Sequence, residues 1–374
     1  MKGSNDMKFT VETKQLIKNL KTINLVKTKV NKKGDNIQFS NILFLAKDGV
    51  LTLKKISAEN TIEIKMYVDV EENGSIELNE SIADIISNIT DNEITITDKK
   101  IIKSNGEINI FAKEEFVTLH IDKIEYSENQ ITVTEVDFIK MVNTEYALAK
   151  DEVRPILTGL CIKGNETCSL DGYRIALRKT SNMSNDFYRD IILNKTCVGI
   201  LNKSLDKKSK GNVTIAVNNM EDYVKITYGK ITLTSRLLEG EYINYKNILP
   251  QEYRIKFDIE TDIFASAVKS LLGYKKEDQP LIKLNIDTME NILTLTRNTI
   301  ENTFTEKLNI KAESNKENLL IAFNAKYLYD MLNNYKKTED VITMEFQSAV
   351  SPCLIKNNDE TMTDLLLPVR LMNK

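Results

Sequence analysis

Three stretches of the sequence share one pattern: KFTVETKQLIKNLKTI at residues 8–23, ITVTEVDFIKMV at 131–142 and FDIETDIFASAVKSLL at 257–272. In each, a short alternating run that favours a strand leads into apolar residues spaced three and four apart. That spacing is the period of a helix with one buried face. Counted from Phe9, Ile131 and Phe257, the offsets are 131 − 9 = 122 and 257 − 131 = 126 residues. The chain is therefore predicted to contain the same strand-to-helix unit three times.

A second helical pattern follows an asparagine in each repeat, at Asn79, Asn202 and Asn324. The offsets are 202 − 79 = 123 and 324 − 202 = 122 residues. Asparagine is a favoured N-cap because its side chain accepts a hydrogen bond from a free helical N–H. Strand-like pairs lie between the helices, and turn residues such as Asp48-Gly49 and Gly164-Asn165 separate them, as in hairpins.

The repeats predict an α+β fold made of three tandem copies of one domain, each with two helices plus antiparallel sheets. We place the domains at residues 1–128, 129–254 and 255–374. Each has about 125 residues and is long enough for its own core. Residues 1–6 are polar and precede Met7, so they are a candidate non-native leader.

The composition is that of a globular protein, with 41% hydrophobic residues, 28% charged residues and a net charge of −3. A small protein that coats itself in DNA is usually strongly basic, so any contact with nucleic acid must come from a local face. No apolar run reaches the roughly 18 residues of a membrane span. The four cysteines form no Cys-x-x-Cys pair, which favours a reduced, cytoplasmic setting.

The sequence offers little for catalysis. His120 is the only histidine, so a histidine-based metal site or a hydrolytic triad would need unusual partners. No glycine-rich phosphate-binding motif occurs. Asp171-Gly172-Tyr173-Arg174 is the most conspicuous polar cluster, and a turn explains its Asp-Gly pair. We predict no catalytic residue, metal or cofactor, although an enzyme with an unrecognised active site is one rival interpretation.

Two lysine stripes are candidates for a phosphate-facing surface. One consists of Lys14, Lys18 and Lys21 on the first predicted helix, spaced four and three apart. The same spacing recurs in Lys203, Lys207 and Lys210 on the second predicted helix of the middle repeat. Such spacing puts three positive charges on one helix face, which suits contact with phosphates rather than with bases. A face that is merely solvated explains the same pattern.

Five segments resemble, in order, blocks of the bacterial DNA polymerase III beta subunits, the beta sliding clamps. They are EVRPILTG at 152–159, LDGYRIA at 170–176, LTSRLLEG at 233–240, FNAKY at 323–327 and LLPVR at 366–370. The triplication also matches the three-domain chain of this family. The first repeat is the most divergent, with little beyond MKFTVE at 7–12. Tyr173 and Asn247 stand where the family commonly has a histidine and a basic residue, and Pro155 and Ile156 replace aromatic residues of a DNA-touching loop.

The resemblance implies a non-catalytic processivity factor for the replicative polymerase. It would be a head-to-tail homodimeric ring, with helices inside and sheets outside, that encircles double-stranded DNA without sequence specificity. Clamp loader and repair factors would dock through short peptides, and the two lysine stripes would line the inner face. The implied dimer seam consists of Ile108, Ile110, Leu271, Leu272 and Tyr274. A divergent clamp-like binding module that never encircles DNA is the alternative.

The resemblance also implies a peptide pocket between the second and third domains. Its apolar members would take leucine or phenylalanine side chains, and Arg174, Asn324 and Arg370 would bond the peptide backbone or a polar anchor. For Leu170, Ile175 and Ile248, packing in the core explains the residue type equally well. The implied wall consists of Leu157, Leu170, Gly172, Tyr173, Arg174, Ile175, Ile243, Asn247, Ile248, Asn324, Tyr327, Val350, Leu367, Pro368, Val369 and Arg370.

Overall fold

One order of elements occurs three times along the chain: strand, helix, three strands, a further strand, helix and three strands. The structure, a computed structural model, describes residues 7–27, 40–111, 124–151, 153–180, 190–206, 208–273, 280–300, 302–313 and 317–371. Repeat 1 contains β1 (Lys8–Glu12), α1 (Thr13–Ile23), β2 (Asn41–Lys47), β3 (Val50–Ile56), β4 (Asn60–Tyr67), β5 (Asp69–Glu72), β6 (Gly74–Asn79), α2 (Ile82–Ser87), β7 (Glu93–Thr97), β8 (Lys100–Lys103) and β9 (Gly106–Asn109).

Repeats 2 and 3 follow the same order. Two strands are additions to this order: β5 in repeat 1 and β22 in repeat 3. Repeat 2 contains β10 (Tyr126–Thr134), α3 (Glu135–Val142), β11 (Leu160–Lys163), β12 (Glu166–Leu170), β13 (Arg174–Lys179), β14 (Ile191–Leu193), α4 (Lys195–Ser204), β15 (Asn212–Asn218), β16 (Tyr223–Tyr228) and β17 (Ile231–Arg236). Repeat 3 contains β18 (Ile255–Glu260), α5 (Thr261–Leu272), β19 (Leu281–Asp287), β20 (Ile292–Asn298), β21 (Thr303–Asn309), β22 (Lys311–Ala312), β23 (Asn318–Asn324), α6 (Ala325–Tyr335), β24 (Val341–Phe346), β25 (Cys353–Lys356) and β26 (Met362–Leu366). The predicted α+β triplication is confirmed, and the domain limits at 128 and 254 stay predictions.

The cap of the second helix was predicted correctly in repeat 3 and wrongly in repeats 1 and 2. In repeat 1 the N-cap of α2 is Ser81, and Asn79 accepts from Ser81 N at 3.0 Å instead. Asn324 caps α6, because its Oδ1 accepts from the N–H groups of Lys326 at 3.0 Å and Tyr327 at 3.2 Å. In repeat 2 the cap is Asn194, whose Oδ1 accepts from Cys197 N at 2.9 Å, and Asn202 lies inside α4. The side-chain amide of Asn194 also donates to Arg236 O at 2.8 Å. This contact between distant segments fixes the cap and is invisible in the local pattern.

Local sequence explains the hairpins and the faces of the first helices. Asp48 and Gly49 have φ of +51° and +79°, the left-handed geometry that a two-residue hairpin turn requires. β3 alternates strictly between buried and partly exposed residues, as a half-buried strand should. In α1 the buried residues are Thr13, Leu16, Leu20 and Ile23, so the opposite face is left to solvent. No helix in the described part of the chain is long and apolar enough to cross a membrane.

The chain divides into two compact units, and repeat 2 contributes to both. Unit 1 comprises residues 1–139 and 193–239. It contains a five-stranded sheet in the order β5-β1-β7-β8-β9 and an eight-stranded sheet in the order β10-β15-β16-β17-β4-β3-β2-β6. The second sheet joins repeat 2 to repeat 1 through the antiparallel pair β17–β4.

Unit 2 comprises residues 140–192 and 240–374. Its nine-stranded sheet runs β14-β11-β12-β13-β26-β25-β24-β18-β22, and its four-stranded sheet runs β21-β20-β19-β23. The pair β13–β26 joins repeat 2 to repeat 3. Apolar residues of α5 and α6, among them Phe264, Leu328 and Tyr335, are fully buried in the core together with the strands of repeat 3.

The strand registers make the last strands of the three repeats equivalent, residue by residue. In each repeat we follow the paired residues from the first strand across the sheet to the last strand. Starting from the equivalent residues Phe9, Ile131 and Phe257, this leads to Ile108 on β9, Leu233 on β17 and Asp364 on β26. The three paths are Phe9–Ile96–Ile101–Ile108, Ile131–Ile215–Ile226–Leu233 and Phe257–Met344–Ile355–Asp364. Leu233 then faces Ile62 on β4, and Asp364 faces Ala176 on β13. The two pairs that join successive repeats are thus copies of one arrangement.

Candidate functional site

A tight turn in unit 2 presents Tyr173 at the surface. The Oδ1 atom of Asp171 accepts from the N–H groups of Tyr173 at 3.0 Å and Arg174 at 3.1 Å. Gly172 between them has φ +87°, a conformation that favours glycine. Tyr173 is 59% exposed. The conspicuous polar cluster of the sequence is therefore a turn, as predicted, and the turn aims one aromatic ring outward.

Arg174, the next residue along the chain, is buried and bonds residues of its own unit. The side chain is 2% exposed. Its Nε donates to Asp171 Oδ2 at 3.0 Å and its Nη1 donates to Asp330 Oδ2 at 3.1 Å. The guanidinium carbon lies 4.2 Å from the centre of the Tyr327 ring, a distance at which a cation attracts the ring face. The side chain of Arg174 is thus paired with two carboxylates and one ring of unit 2, and that it also bonds a peptide stays a prediction.

Tyr327 carries the second ring of the site. The ring centres of Tyr173 and Tyr327 are 5.9 Å apart and the rings are tilted by 35°. Burial, and then the negative charge of Asp171, raise the pKa of Tyr327 above its ordinary value, so the phenol is neutral and can donate a hydrogen bond at neutral pH. The Oδ1 atom of Asn324 is used to cap α6, so the part of this side chain that remains to bond a ligand is its NH₂ group.

The segment after β26 completes the surface beside the tyrosines. Leu367 N donates to Tyr173 O at 2.9 Å, and Val369 N donates to Ala322 O at 2.7 Å. Pro368 between them has no N–H to satisfy. The side chains of Leu367, Val369 and Arg370 remain exposed. The structure therefore brings together six of the predicted pocket positions from three separate segments: Tyr173, Arg174, Asn324, Tyr327, Leu367 and Val369.

The remaining pocket positions fall into two groups. Leu157, Leu170 and Ile175 are buried, and Leu170 and Ile175 face each other across β12 and β13, so packing in the core accounts for them. Ile248 and Val350 are exposed apolar residues, at 44% and 65%. Ile243 is half-buried and Asn247 exposed. That these four surround the two tyrosines stays a prediction.

The lysine stripe on α1 is present, and the stripe on α4 is not. Lys14, Lys18 and Lys21 are exposed on the face of α1 opposite its buried residues. No carboxylate in the described part of the chain forms a salt bridge with any of the three. The helix α4 ends at Ser204, because Leu205 is extended (φ −67°, ψ 131°) and buries its side chain. Lys203 lies on α4, Lys210 lies beyond its end, and Lys207 is outside the described residues.

The predicted seam residues lie on two elements. Ile108 is on β9, and Ile110 follows it and is buried. Leu271 and Leu272 form the last turn of α5, with Leu271 buried. Tyr274 is outside the described residues. In the part of the chain that the structure describes, β9 and β21 are end strands of their sheets, whereas the equivalent strands of the other repeats are paired on both sides.

Sequence reasoning missed the polar residues that lie next to Arg174 or are buried behind it: Tyr146, Arg178, Asp330, Asn334 and Asp364. The only signal was the spacing of Arg174 and Arg178 on one face of β13 and of Tyr327, Asp330 and Asn334 on one face of α6. Groups of histidine, cysteine and carboxylate residues that could hold a metal ion are absent from the ranges that the structure describes.

The triplicated fold, with sheets that run from one repeat into the next and an aromatic site beside the second junction, defines the class of DNA sliding clamps. Family models match the chain over residues 132–244, as the central domain of the DNA polymerase III beta subunit, and over 246–370, as its C-terminal domain. The chain belongs to the DNA polymerase III beta subunit family.

Individual proteins agree with this assignment. The beta sliding clamp of Rickettsia bellii is 26% identical over 375 residues, covering 94% of this chain and 96% of that protein. The beta sliding clamp of Staphylococcus epidermidis is 27% identical over 350 residues, covering 87% and 90%. Among solved structures, the sliding clamp of Bacillus subtilis has a TM-score of 0.84 at 24% identity and covers 98% of this chain and 100% of that one. The clamp of Bartonella birtlesii bound to griselimycin has a TM-score of 0.82 at 23% identity, with the same coverage.

Proposed function

We propose that this protein is a non-catalytic sliding clamp. Two chains would join head to tail into a ring around double-stranded DNA and hold the replicative polymerase through peptides bound beside Tyr173 and Tyr327. The observation that carries the proposal is the repeated junction between successive repeats, because, among the described residues, one half of the same junction is unused in repeat 1 and the other half in repeat 3.

Both internal junctions contain the same hydrogen bond. At the first, Arg236 N donates to Glu59 O at 2.8 Å; at the second, Leu367 N donates to Tyr173 O at 2.9 Å. Each junction pairs the last strand of one repeat with the third strand after the first helix of the repeat before it. The unused copies of these strands are β9 in repeat 1 and β21 in repeat 3. Unpaired edge strands favour association with another chain.

Pairing β9 of one chain with β21 of a second would reproduce the junction. Because Asn79 and Asn324 are equivalent, the strand registers make Phe304 on β21 the counterpart of Ile62 on β4. Ile108 of one protomer would then face Phe304 of its partner, and both are partly exposed apolar residues. A head-to-tail contact either closes into a ring or continues into a filament, and two chains with three repeats each would close.

The positive charge of α1 supports contact with DNA phosphates without base recognition. A net charge of −3 suits a ring that must slide, because strong contact with many phosphates would retard movement and make binding steeply salt-dependent. The exposed Tyr173, Leu367 and Val369, with Tyr327 beside them, suit a short extended peptide with leucine or phenylalanine side chains. Clamp loader and repair factors with such peptides would share this site.

The first experiment is light scattering across a dilution series, with a variant on the proposed seam. We expect a mass of twice the 42.7 kDa of one chain. Ile108→Asp should yield monomers, because it places a charge in an apolar contact. Met220→Asp changes a residue that is 82% exposed in unit 1 and should leave the mass unchanged. A wild-type protein that is monomeric at every concentration contradicts the ring.

The second experiment separates encirclement from ordinary binding. A ring should stay on a circular plasmid in high salt and be lost when the plasmid is cut, because its grip is topological. A clamp-like module that binds DNA only by its surface would be released from circular and linear DNA alike as salt rises.

A further inference from the structure

A network of buried polar side chains lies under the candidate peptide site in unit 2. Arg178 and Asp364 are 1% and 0% exposed, and Nη1 of Arg178 donates to Asp364 Oδ1 at 2.6 Å. Nη2 of Arg178 donates to Tyr146 OH at 2.9 Å and to Asn334 Oδ1 at 3.2 Å. The Tyr146 hydroxyl in turn donates to the second oxygen of Asp364. We call Tyr146, Arg178, Asn334 and Asp364 the Arg178 network.

The Arg178 network is connected to the two surface tyrosines through Arg174. The guanidinium carbon of Arg174 lies 5.5 Å from the centre of the Tyr146 ring and 4.2 Å from that of Tyr327. Tyr327 then meets Tyr173, with 5.9 Å between the ring centres. An unbroken series of contacts thus leads from the buried ion pair to the exposed ring.

The Arg178 network links β13 to α6, the two elements that also carry Arg174 and Tyr327 of the site. On β13, Arg174 and Arg178 point to one face, four residues apart. On α6, Asp330 and Asn334 are also four residues apart, and they accept from Arg174 and Arg178 respectively. Tyr335 adds a ring 5.6 Å from the Arg178 guanidinium carbon. β13 and α6 are therefore fixed to each other by two parallel sets of charged contacts.

Arg178 and Tyr146 keep their protons near neutral pH. Burial by itself would lower the pKa of Arg178, but Asp364 and the surrounding tyrosines raise it above its ordinary value, so the guanidinium stays charged. Burial raises the pKa of Tyr146 well above its ordinary range, so its hydroxyl keeps the proton it donates.

The first junction, in unit 1, lacks this network although its backbone is equivalent. The hydrogen bond that both junctions share aligns them residue by residue. In this alignment the counterparts of Tyr173, Arg174, Arg178 and Asp364 are Glu59, Asn60, Ile64 and Leu233. Ile64 and Leu233 are buried and apolar. An apolar pair therefore suffices to join two repeats. A buried ion pair of similar volume is often no more stable than apolar residues, so joining repeats does not explain Arg178 and Asp364.

We infer that the Arg178 network positions the peptide site: it fixes the Tyr146 ring under Arg174, and Arg174 thereby holds Tyr327 and Tyr173 in the arrangement that receives a partner. Its members are positioning residues, since none of them reaches the exposed rings. This inference rests on the proposed peptide-binding function, and it assigns to four residues a role in affinity that sequence reasoning did not give them.

The main test replaces the ion pair by two apolar residues, as at the first junction, with methionine rather than isoleucine at position 178 to match the length of arginine. The Arg178→Met, Asp364→Leu double variant should unfold within a few degrees of the wild type, because both charges are removed together. Its dissociation constant for a fluorescein-labelled peptide with adjacent leucine and phenylalanine should rise about tenfold, measured by fluorescence polarisation. Wild-type affinity in this variant would overturn the inference. Tyr146→Phe, which removes only the hydroxyl, should shift affinity in the same direction and serves if the double variant does not fold.

Two controls separate positioning from general destabilisation. Glu345→Gln breaks a largely buried pair with Lys356 (3.0 Å) on the opposite face of the same sheet, and it should lower stability without changing peptide affinity. In a Tyr327→Ala background, the double variant should weaken binding no further, since the network acts through that ring. If the losses of binding free energy caused by Tyr327→Ala and by the double variant simply add, the network does not act through Tyr327.

A readout without peptide keeps the two proposals apart. In protein with ¹³C-labelled tyrosine rings, the signals of Tyr173 and Tyr327 should move in the double variant and stay in Glu345→Gln. Unchanged signals would refute the inference whether or not any peptide binds. A wild-type protein that binds no peptide, but whose signals move as expected, would refute only the proposed peptide site.

Discussion

At the scale of single residues, the position of Tyr173 in the candidate site depends on the turn that contains it. Asp171 accepts three hydrogen bonds, from two backbone N–H groups and from Arg174 Nε, and these fix the direction of Tyr173. Gly172 permits the turn because its φ is +87°. The exposed Tyr173 ring is thus held by a turn that the Asp-Gly pair makes possible.

Gly172→Ala should weaken peptide binding and stability together. An L-residue at this φ costs about 1 kcal/mol, and relief of the strain would rotate Tyr173 away from Tyr327. Thermal unfolding and fluorescence polarisation with the labelled leucine-phenylalanine peptide measure the two effects. Gly229→Ala is the matched control, since Gly229 has φ +53° and, like Gly172, open space around an added Cβ. It should lose similar stability and keep full affinity, so equal affinity in the two variants would contradict the role of the turn.

At the scale of elements, equivalent helices and strands carry different side chains in the three repeats. α1 presents three exposed lysines, whereas α5 has Asp262 in its first turn and Lys269 in its last. Likewise the strand pair β13–β26 has the Arg178 network where β17–β4 has apolar residues. The repeated backbone therefore supplies the architecture, and individual faces supply the functions.

Removal of the α1 charges should weaken contact with DNA in a salt-dependent manner. Each phosphate contact that is lost lowers the slope of log K against log salt by about 0.9, so K14Q/K18Q/K21Q should reduce the slope for duplex DNA measurably below that of the wild type. K47Q/K65Q/K99Q removes the same charge from exposed positions on strands and turns of repeat 1. If both triple variants give the same slope, only net charge matters and α1 has no special contact with DNA.

At the scale of the whole molecule, the register of the internal junctions predicts the register between chains. With Ile108 opposite Phe304 of the partner protomer, Asn109 would face Thr303, and both are exposed. Burial raises the pKa of Cys161, Cys197 and Cys353 to about 12, so these thiols are almost entirely protonated near pH 8 and give little background reaction.

A protein with Asn109→Cys and Thr303→Cys should therefore form disulfide-linked dimers on mild oxidation. Asn109→Cys with Thr305→Cys, two residues out of register, should crosslink much less, because disulfides need closely opposed Cβ atoms. Denaturing electrophoresis without reductant gives the yields. Stronger crosslinking of the second pair would disprove the register while leaving the dimer itself intact, and no crosslinking in either would argue against the β9–β21 contact.

Local sequence was enough to predict the helices and hairpins of each repeat, the α1 stripe, the Asp-Gly turn and the cap at Asn324, because periodicity, turn chemistry and capping act within about 15 adjacent residues. The triplication could be predicted because these local patterns recur at offsets of 122 and 126 residues. Tertiary structure decided the rest. Asn194 rather than Asn202 caps α4 because it is held by Arg236, and α4 ends at Ser204 because Leu205 is buried, which removes the second lysine stripe. Arg174 became a buried support because Asp330, distant in sequence, lies next to it. Pairing between distant residues leaves no period in the chain, so only the folded protein reveals which charges meet.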